Sequence, residues 1–222
     1  MALRAIVVAA GRGTRAGGAP KQFAALAGRT VLWHSLRPFA ANARVDSVIA
    51  VVAPDMTATA TRAAAELPRR AEIIAAGGKT RAASVLGGLR NLDDDDWAVV
   101  HDGARPCLRD SVLARFLAAA EKDEIGGLLA LPLSDSLKEE SDGRARRTLS
   151  RDKKYLAQTP QMFRAGMLRA ALSDDCVDES QAMERAGYAP LLVAGDAANI
   201  KITRAEDFAA AAAILSARAA GG

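Results

Sequence analysis

The chain has 222 residues, half of them apolar but only 4% aromatic, with 30 Lys plus Arg against 26 Asp plus Glu and a formal net charge of +4. That length suits one α/β domain, and the slight positive balance suits an anionic ligand; the scarcity of aromatics argues against a nucleic-acid groove. Cys107 and Cys176 have no paired spacing and no apolar run is long enough to span a bilayer, so disulfide, zinc and membrane classes are set aside and a reducing cytoplasm is expected.

The first predicted element is a strand over 5–10, where Ile6, Val7 and Val8 suit burial on both faces of a sheet. It runs into a loop carrying Gly11, Gly13 and Arg15, then Pro20-Lys21-Gln22-Phe23. The glycines let backbone approach a ligand, loop amides attract anions, and Arg15 and Lys21 add a planar fork and a compact point charge matched to phosphate oxygens. The segment reads as a nucleoside triphosphate site. Gly11, Gly13 and Ala16 also satisfy the G-x-G-x-x-A pattern of dinucleotide folds. However, Gly17-Gly18-Ala19-Pro20 is a poor helix start, and no acid stands roughly 20 residues on, where a ribose would need it. An ordinary surface turn with solvated charges is the remaining alternative.

Next come a helix over 30–41, a strand over 47–53, a helix over 57–66 and a strand over 72–74. A helix over 80–91, a strand over 97–101, a helix over 110–122 and a strand over 127–131 follow. This alternation predicts right-handed crossovers and a mainly parallel sheet with helices on both faces, its ligand site at the carboxyl ends of the strands. Gly78-Lys79-Thr80 copies the end of a P-loop, but Ile73, inside a strand, occupies the place of its opening glycine, so that reading is rejected.

The strand over 97–101 leads directly into Asp102, Gly103, Ala104 and Arg105. Asp102 could hold Mg2+ together with phosphate oxygens, and Arg105 could grip a phosphate; a simple Asp102–Arg105 turn salt bridge is the alternative. His101 and His34 are expected to be structural. From Ser134 to Gln161 the chain is polar and broken by Asp142-Gly143, a strong hairpin signal. A hairpin without its own apolar core must pack on something, and a second subunit is the economical choice. Most of its basic residues are expected to be solvated, Arg151 excepted. A last helix starts around Thr203.

Several motifs in order along nearly the whole chain carry a resemblance. They are Ala9-Ala10-Gly11-x-Gly13-x-Arg15 with Pro20-Lys21-Gln22, Gly77-Gly78 through Arg81 to Ser84, His101 to Pro106, Thr159-Pro160-Gln161, Asp178-Glu179 and Asn199 to Thr203. Together these resemble the 2-C-methyl-D-erythritol 4-phosphate cytidylyltransferases. The resemblance implies a single Rossmann-like nucleotidyltransferase domain over 1–222 with a protruding dimerisation β-arm at about 134–161. It further implies a homodimeric, Mg2+-dependent enzyme that uses CTP and a polyol phosphate; with Gly222 following a single last helix, the cyclodiphosphate synthase domain fused to some relatives is not expected.

On the same analogy Arg15, Lys21, Arg151 and Lys201 would be catalytic, with Arg151 reaching across the dimer. Cytosine would be selected around Ala9, Ala10, Gly78 and Ser84, and Gly11 and Gly13 would line the triphosphate. Asp102 would bind metal and substrate, and Arg105, Ser136 and Thr159 would make further substrate contacts. Val177 and Ser136 both stand where the family often has threonine. Ser136 keeps a hydroxyl, whereas Val177 cannot donate a hydrogen bond, so a relative acting on D-ribitol 5-phosphate is the alternative enzyme and a CTP-binding module without turnover the alternative of another class.

Overall fold

In the computed structural model, which describes residues 1–11 and 20–220, the alternating pattern closes into one seven-stranded sheet with helices on both faces. The elements in chain order are β1 (Leu3–Val8), the short pair β2 (Ala25–Leu26) and β3 (Arg29–Thr30), α1 (Val31–Ala41), β4 (Ser47–Val51), α2 (Thr57–Ala63), β5 (Glu72–Ile74), α3 (Arg81–Leu89), β6 (Trp97–Asp102) and α4 (Asp110–Ala120). There follow β7 (Gly126–Pro132), β8 (Leu137–Ser141), β9 (Arg144–Leu149), β10 (Tyr155–Arg164), α5 (Ala165–Ala171), α6 (Glu179–Arg185), β11 (Leu191–Ala194) and α7 (Glu206–Ala220).

The strand order is β11-β7-β10-β6-β1-β4-β5. Every neighbouring pair is parallel except the two made by β10, which runs antiparallel between β6 and β7. Side chains alternate across β1. Ala5 and Val7 join the layer formed with α1, α2 and α4, while Ile6 faces Val85 and Leu89 of α3, Leu168 of α5 and Met183 of α6. All three β1 residues are fully buried, as expected of a central strand covered on both sides. A smaller cluster of Leu26, Val31, Cys107, Ile202 and Ala211 seats α7 against the β2–β3 pair.

Three of the predicted helices start where side chains can cap them, whereas α2 and α4 begin at Met56 and Arg109 without a side-chain cap. Thr30 Oγ1 accepts from Trp33 N at the head of α1, and Thr80 Oγ1 accepts from Ala83 N at the head of α3. Ahead of α7, Asp207 reaches back to accept from the Thr203 and Arg204 amides and the Thr203 hydroxyl.

One boundary differs from expectation. The β8–β9 hairpin turns at Asp142-Gly143 as read from sequence, but it is confined to 137–149. Residues 155–161, grouped in sequence with the polar arm, instead belong to the long strand β10, whose stretch from Gln158 to Phe163 is buried in the central sheet. Its polarity misled because Gln158, Thr159 and Gln161 are buried through specific hydrogen bonds rather than exposed. The hairpin leaves the sheet between the end of β7 and the start of β10. It therefore emerges at the same sheet edge as the carboxyl ends of β1 and β6.

Candidate active site

Three loops meet at that edge. Ala9 donates its amide to Val51 O and Gly77 to Val52 O, both at the end of β4, and Gly103 donates to Val8 O, so the segments after β1 and β5 are tied to β4 and the segment after β6 to β1. The packing leaves no room for side chains. A Cβ on Gly77 would lie 2.5 Å from Ala10 Cβ, and one on Gly103 would lie 3.0 Å from Ala9 Cβ. Here glycine is required by close approach of backbones, with no unusual φ involved.

The Gly77-Gly78 turn is braced from α3. Gly78 N donates to Ser84 Oγ at 3.0 Å, and the Ser84 hydroxyl donates to Thr80 O at 3.0 Å. Ser84 is thus buried as a turn brace, with its own proton already committed within the chain. On the other side of the site Gln22, buried in the short 3-10 turn Lys21–Phe23, donates to both Ala9 O (2.7 Å) and Gly11 O (2.8 Å). Lys21 is carried by the same turn. Gly13 and Arg15 lie outside the described residues.

At the end of β6 stands a buried charge cluster. Asp102 Oδ1 accepts from Arg81 Nε at 3.0 Å, and Oδ2 pairs with Lys201 Nζ at 2.8 Å and with Arg105 Nε at 3.6 Å. Arg81 also forks onto Glu179, with Nη1–Oε1 at 2.5 Å and Nη2–Oε2 at 3.0 Å. The carboxylates of Asp102 and Glu179 therefore face three cations, Arg81, Arg105 and Lys201, at the carboxyl end of β6. Burial alone would push the Asp102 carboxyl up, but Arg81, Lys201 and Arg105 outweigh it and hold the group well below the usual carboxylate range. Asp102 stays ionised.

The cluster is held from behind by the loop before α7. Ile202 N donates to Ala104 O at 2.8 Å, and Arg105 Nη1 donates to Asn199 O at 2.7 Å, which brings Lys201 over Asp102. Thr159, buried in β10, accepts from the Asp102 amide at 3.1 Å and contacts His101 Nδ1 at 3.0 Å. His101 Nε2 lies 3.2 Å from Arg105 O, a carbonyl that can only accept, so Nε2 carries the proton and Nδ1 accepts from the Thr159 hydroxyl. Burial pushes the His101 pKa down to about 4, and the ring is a neutral strut, as the sequence suggested.

A family model described as 2-C-methyl-D-erythritol 4-phosphate cytidylyltransferase matches residues 3–217, almost the entire chain. The chain belongs to this family. Among its relatives, a 2-C-methyl-D-erythritol 4-phosphate cytidylyltransferase of Chromobacterium violaceum is 46% identical, with 96% of this chain and 98% of the relative covered. A bifunctional enzyme of Albidiferax ferrireducens is also 46% identical over 98% of this chain, but the chain spans only 54% of that relative's length. A crystal structure of a 4-diphosphocytidyl-2C-methyl-D-erythritol synthase superposes with a TM-score of 0.87 at 34% identity, covering 97% of this chain and 100% of the other. The Francisella tularensis cytidylyltransferase structure gives 0.81 at 30% identity, covering 96% and 100%.

Within the cytidylyltransferase fold, the structure gathers Ala9, Ala10, Gly11, Lys21, Gly78, Ser84, Asp102, Arg105, Thr159 and Lys201 at the carboxyl end of the parallel strands. Ser136 and Arg151 are exposed, the former before β8 and the latter after β9. Arg81 and Glu179 had no assigned role in the sequence reading although both lie in its motifs. Their pairing spans 98 positions, and nothing local in sequence signals it. Among the described residues no three His, Cys, Asp or Glu side chains form a ready metal cluster. No described helix is long and apolar enough to cross a membrane.

Proposed function

We propose that this chain transfers the cytidylyl group of CTP to 2-C-methyl-D-erythritol 4-phosphate, giving 4-diphosphocytidyl-2-C-methyl-D-erythritol and pyrophosphate for the non-mevalonate isoprenoid route in the cytoplasm. The observation that carries this reading is the cation-rich Asp102 cluster beside the Ala9–Gly11 and Gly77-Gly78 loops, in a chain that belongs to the cytidylyltransferase family throughout.

The chemistry needs little from the protein beyond position and charge. A phosphate monoester has a second pKa near 6 and is largely a dianion at neutral pH. Its oxygen attacks the α-phosphorus of CTP, the bond to the β-phosphate bridging oxygen breaks, and pyrophosphate leaves with that electron pair. No general base is required, consistent with His101 being buried, neutral and fully hydrogen-bonded. Lys21 and Arg15 would stabilise charge on the triphosphate, while Arg105 and Lys201 would hold the attacking phosphate. With the Ala9 and Gly78 amides already donating within the chain, the Ala10 N–H and the remaining carbonyl lone pairs of Ala9, Ala10 and Gly78 would select cytosine.

Both Asp102 oxygens are paired with Arg81, Lys201 and Arg105, so Mg2+ would take this carboxylate only in exchange for one of those pairs. One ionised carboxylate at the cleft, with the remaining ligands left to phosphate oxygens and water, is how this ion is usually held, and Asp102 would provide that carboxylate. When bound, the ion would add Lewis-acid stabilisation of phosphoryl charge.

A homodimer completes the reading. The β8–β9 hairpin is almost wholly exposed, and Tyr155 and Leu156 at its root are 50% and 54% exposed, an apolar patch suited to cover by a second copy. Arg151 would then serve the partner's site. The test is pyrophosphate release from CTP and Mg2+ with 2-C-methyl-D-erythritol 4-phosphate or D-ribitol 5-phosphate. Selective turnover of the first is expected. Preference for the second would move the substrate, and CTP binding without release on either would leave only a nucleotide-binding module.

A further inference from the structure

Gln22 is 95% buried, and both protons of its side-chain amide are committed to carbonyls at the start of the nucleotide loop, Ala9 O at 2.7 Å and Gly11 O at 2.8 Å. We propose that Gln22 is a positioning residue for the nucleotide, a clamp that sets the peptide planes at the start of this loop and ties them to the turn carrying Lys21. The inference rests on the CTP reading given above and adds to it a residue that touches neither substrate.

Peptide geometry carries the argument. In a trans peptide the carbonyl of one residue and the amide N–H of the next point in opposite directions. Drawing Ala9 O toward Gln22 therefore turns the Ala10 N–H the other way. Ala9 N is already fixed on Val51 O, so the orientation of this stretch is set from both ends. An amide is suited to this task, because the acceptors are two carbonyls and the site needs two donors on one atom. A carboxylate would oppose both carbonyls with lone pairs, and an apolar side chain would leave both buried oxygens without their partner. The adjacent residue is Lys21, in the same 3-10 turn that closes with Phe23 N donating to Pro20 O at 2.9 Å. The same amide thus holds the loop and the lysine at one separation.

The test compares wild type with Gln22→Met, which keeps the length and removes both donors, by titrating CTP calorimetrically and measuring kcat and each KM. The expected result is CTP affinity weakened at least about tenfold with a lower kcat. The KM for the polyol phosphate at saturating CTP and the circular dichroism spectrum should be unchanged. CTP affinity and kcat within twofold of wild type in folded Gln22→Met would overturn the clamp while leaving the CTP reading intact. Failure of the wild type itself to bind CTP would overturn both. Should Gln22→Met not fold, nuclear magnetic resonance of the wild-type Gln22 side-chain amide decides. Protection of both protons from exchange, retained on adding CTP, supports the clamp, and exchange at the rate of a free amide overturns it.

Discussion

His101 shows how much a single buried side chain can fix. Its ring accepts from Thr159 and donates to Arg105 O, so it holds β10 and the Asp102 corner together only while neutral. An unfolded His titrates near 6.5, while burial pushes the folded ring down to about 4. As pH falls from 6.5 the unfolded chain takes up the proton first, so the stabilisation is complete above 6.5 and drains between 6.5 and about 4, to a total of order 3 kcal/mol. Denaturant titrations across this range should show that loss in the wild type and a flatter profile in His101→Gln. His34, whose pKa burial also lowers, remains in the variant and keeps a residual slope. An equal slope in both proteins would show that His101 titrates in the folded state as it does in a free chain. At this scale sequence reading reached the residues that flank strand ends, such as Asp102 and Arg105, since a charge following an apolar strand stands out. It did not reach the function of Gln22, whose partners Ala9 and Gly11 offer only backbone. Backbone acceptors leave no trace in composition.

Among the elements, α3 and the turn before it set the shape of the cleft. Gly77→Ala would place a methyl group 2.5 Å from Ala10 Cβ and 2.8 Å from Val52 O. The expected cost is about 1–3 kcal/mol of stability, read as a lower denaturation midpoint, together with a raised KM for CTP. Wild-type values for both would mean that the 77–78 turn retreats freely from β1. Strands over the apolar runs of the first 130 residues were legible with little error, and β5 has the predicted bounds of 72–74, but the apolar strand β11 was missed. The second half of the sheet was harder to read. β10 breaks the apolar alternation at the very positions that serve the cleft, where Thr159 meets Asp102 N and Gln161 meets Ser180 N and Asp178. A strand that carries a site's polar groups resembles a loop to any reading based on hydrophobic period. The two-residue strands β2 and β3 have no period at all.

For the whole molecule the sharpest question is which subunit supplies Arg151. If it serves the partner's cleft, Lys21→Ala and Arg151→Ala subunits, each inactive alone, should complement on mixing. Half of the randomly exchanged dimers would be hybrids with one intact site of two, so about one quarter of wild-type activity is expected. No recovery despite verified subunit exchange would place both residues in one chain's site.

The antiparallel passage of β10 between β6 and β7 has a consequence for the chain as it emerges from the ribosome. The block β5-β4-β1-β6 is complete once residue 102 has been made, yet the outer edge of β6 gains its neighbour only when Gln161 to Arg164 arrive. Through that interval a nascent chain presents Ala98, Val99 and Val100 on an open edge, the kind of surface on which strands from other copies can template. Closing it requires a long loop to be drawn in, a slow step for a fold of this topology. Synthesis arrested inside the β8–β9 hairpin would release a fragment whose β6 edge is still open.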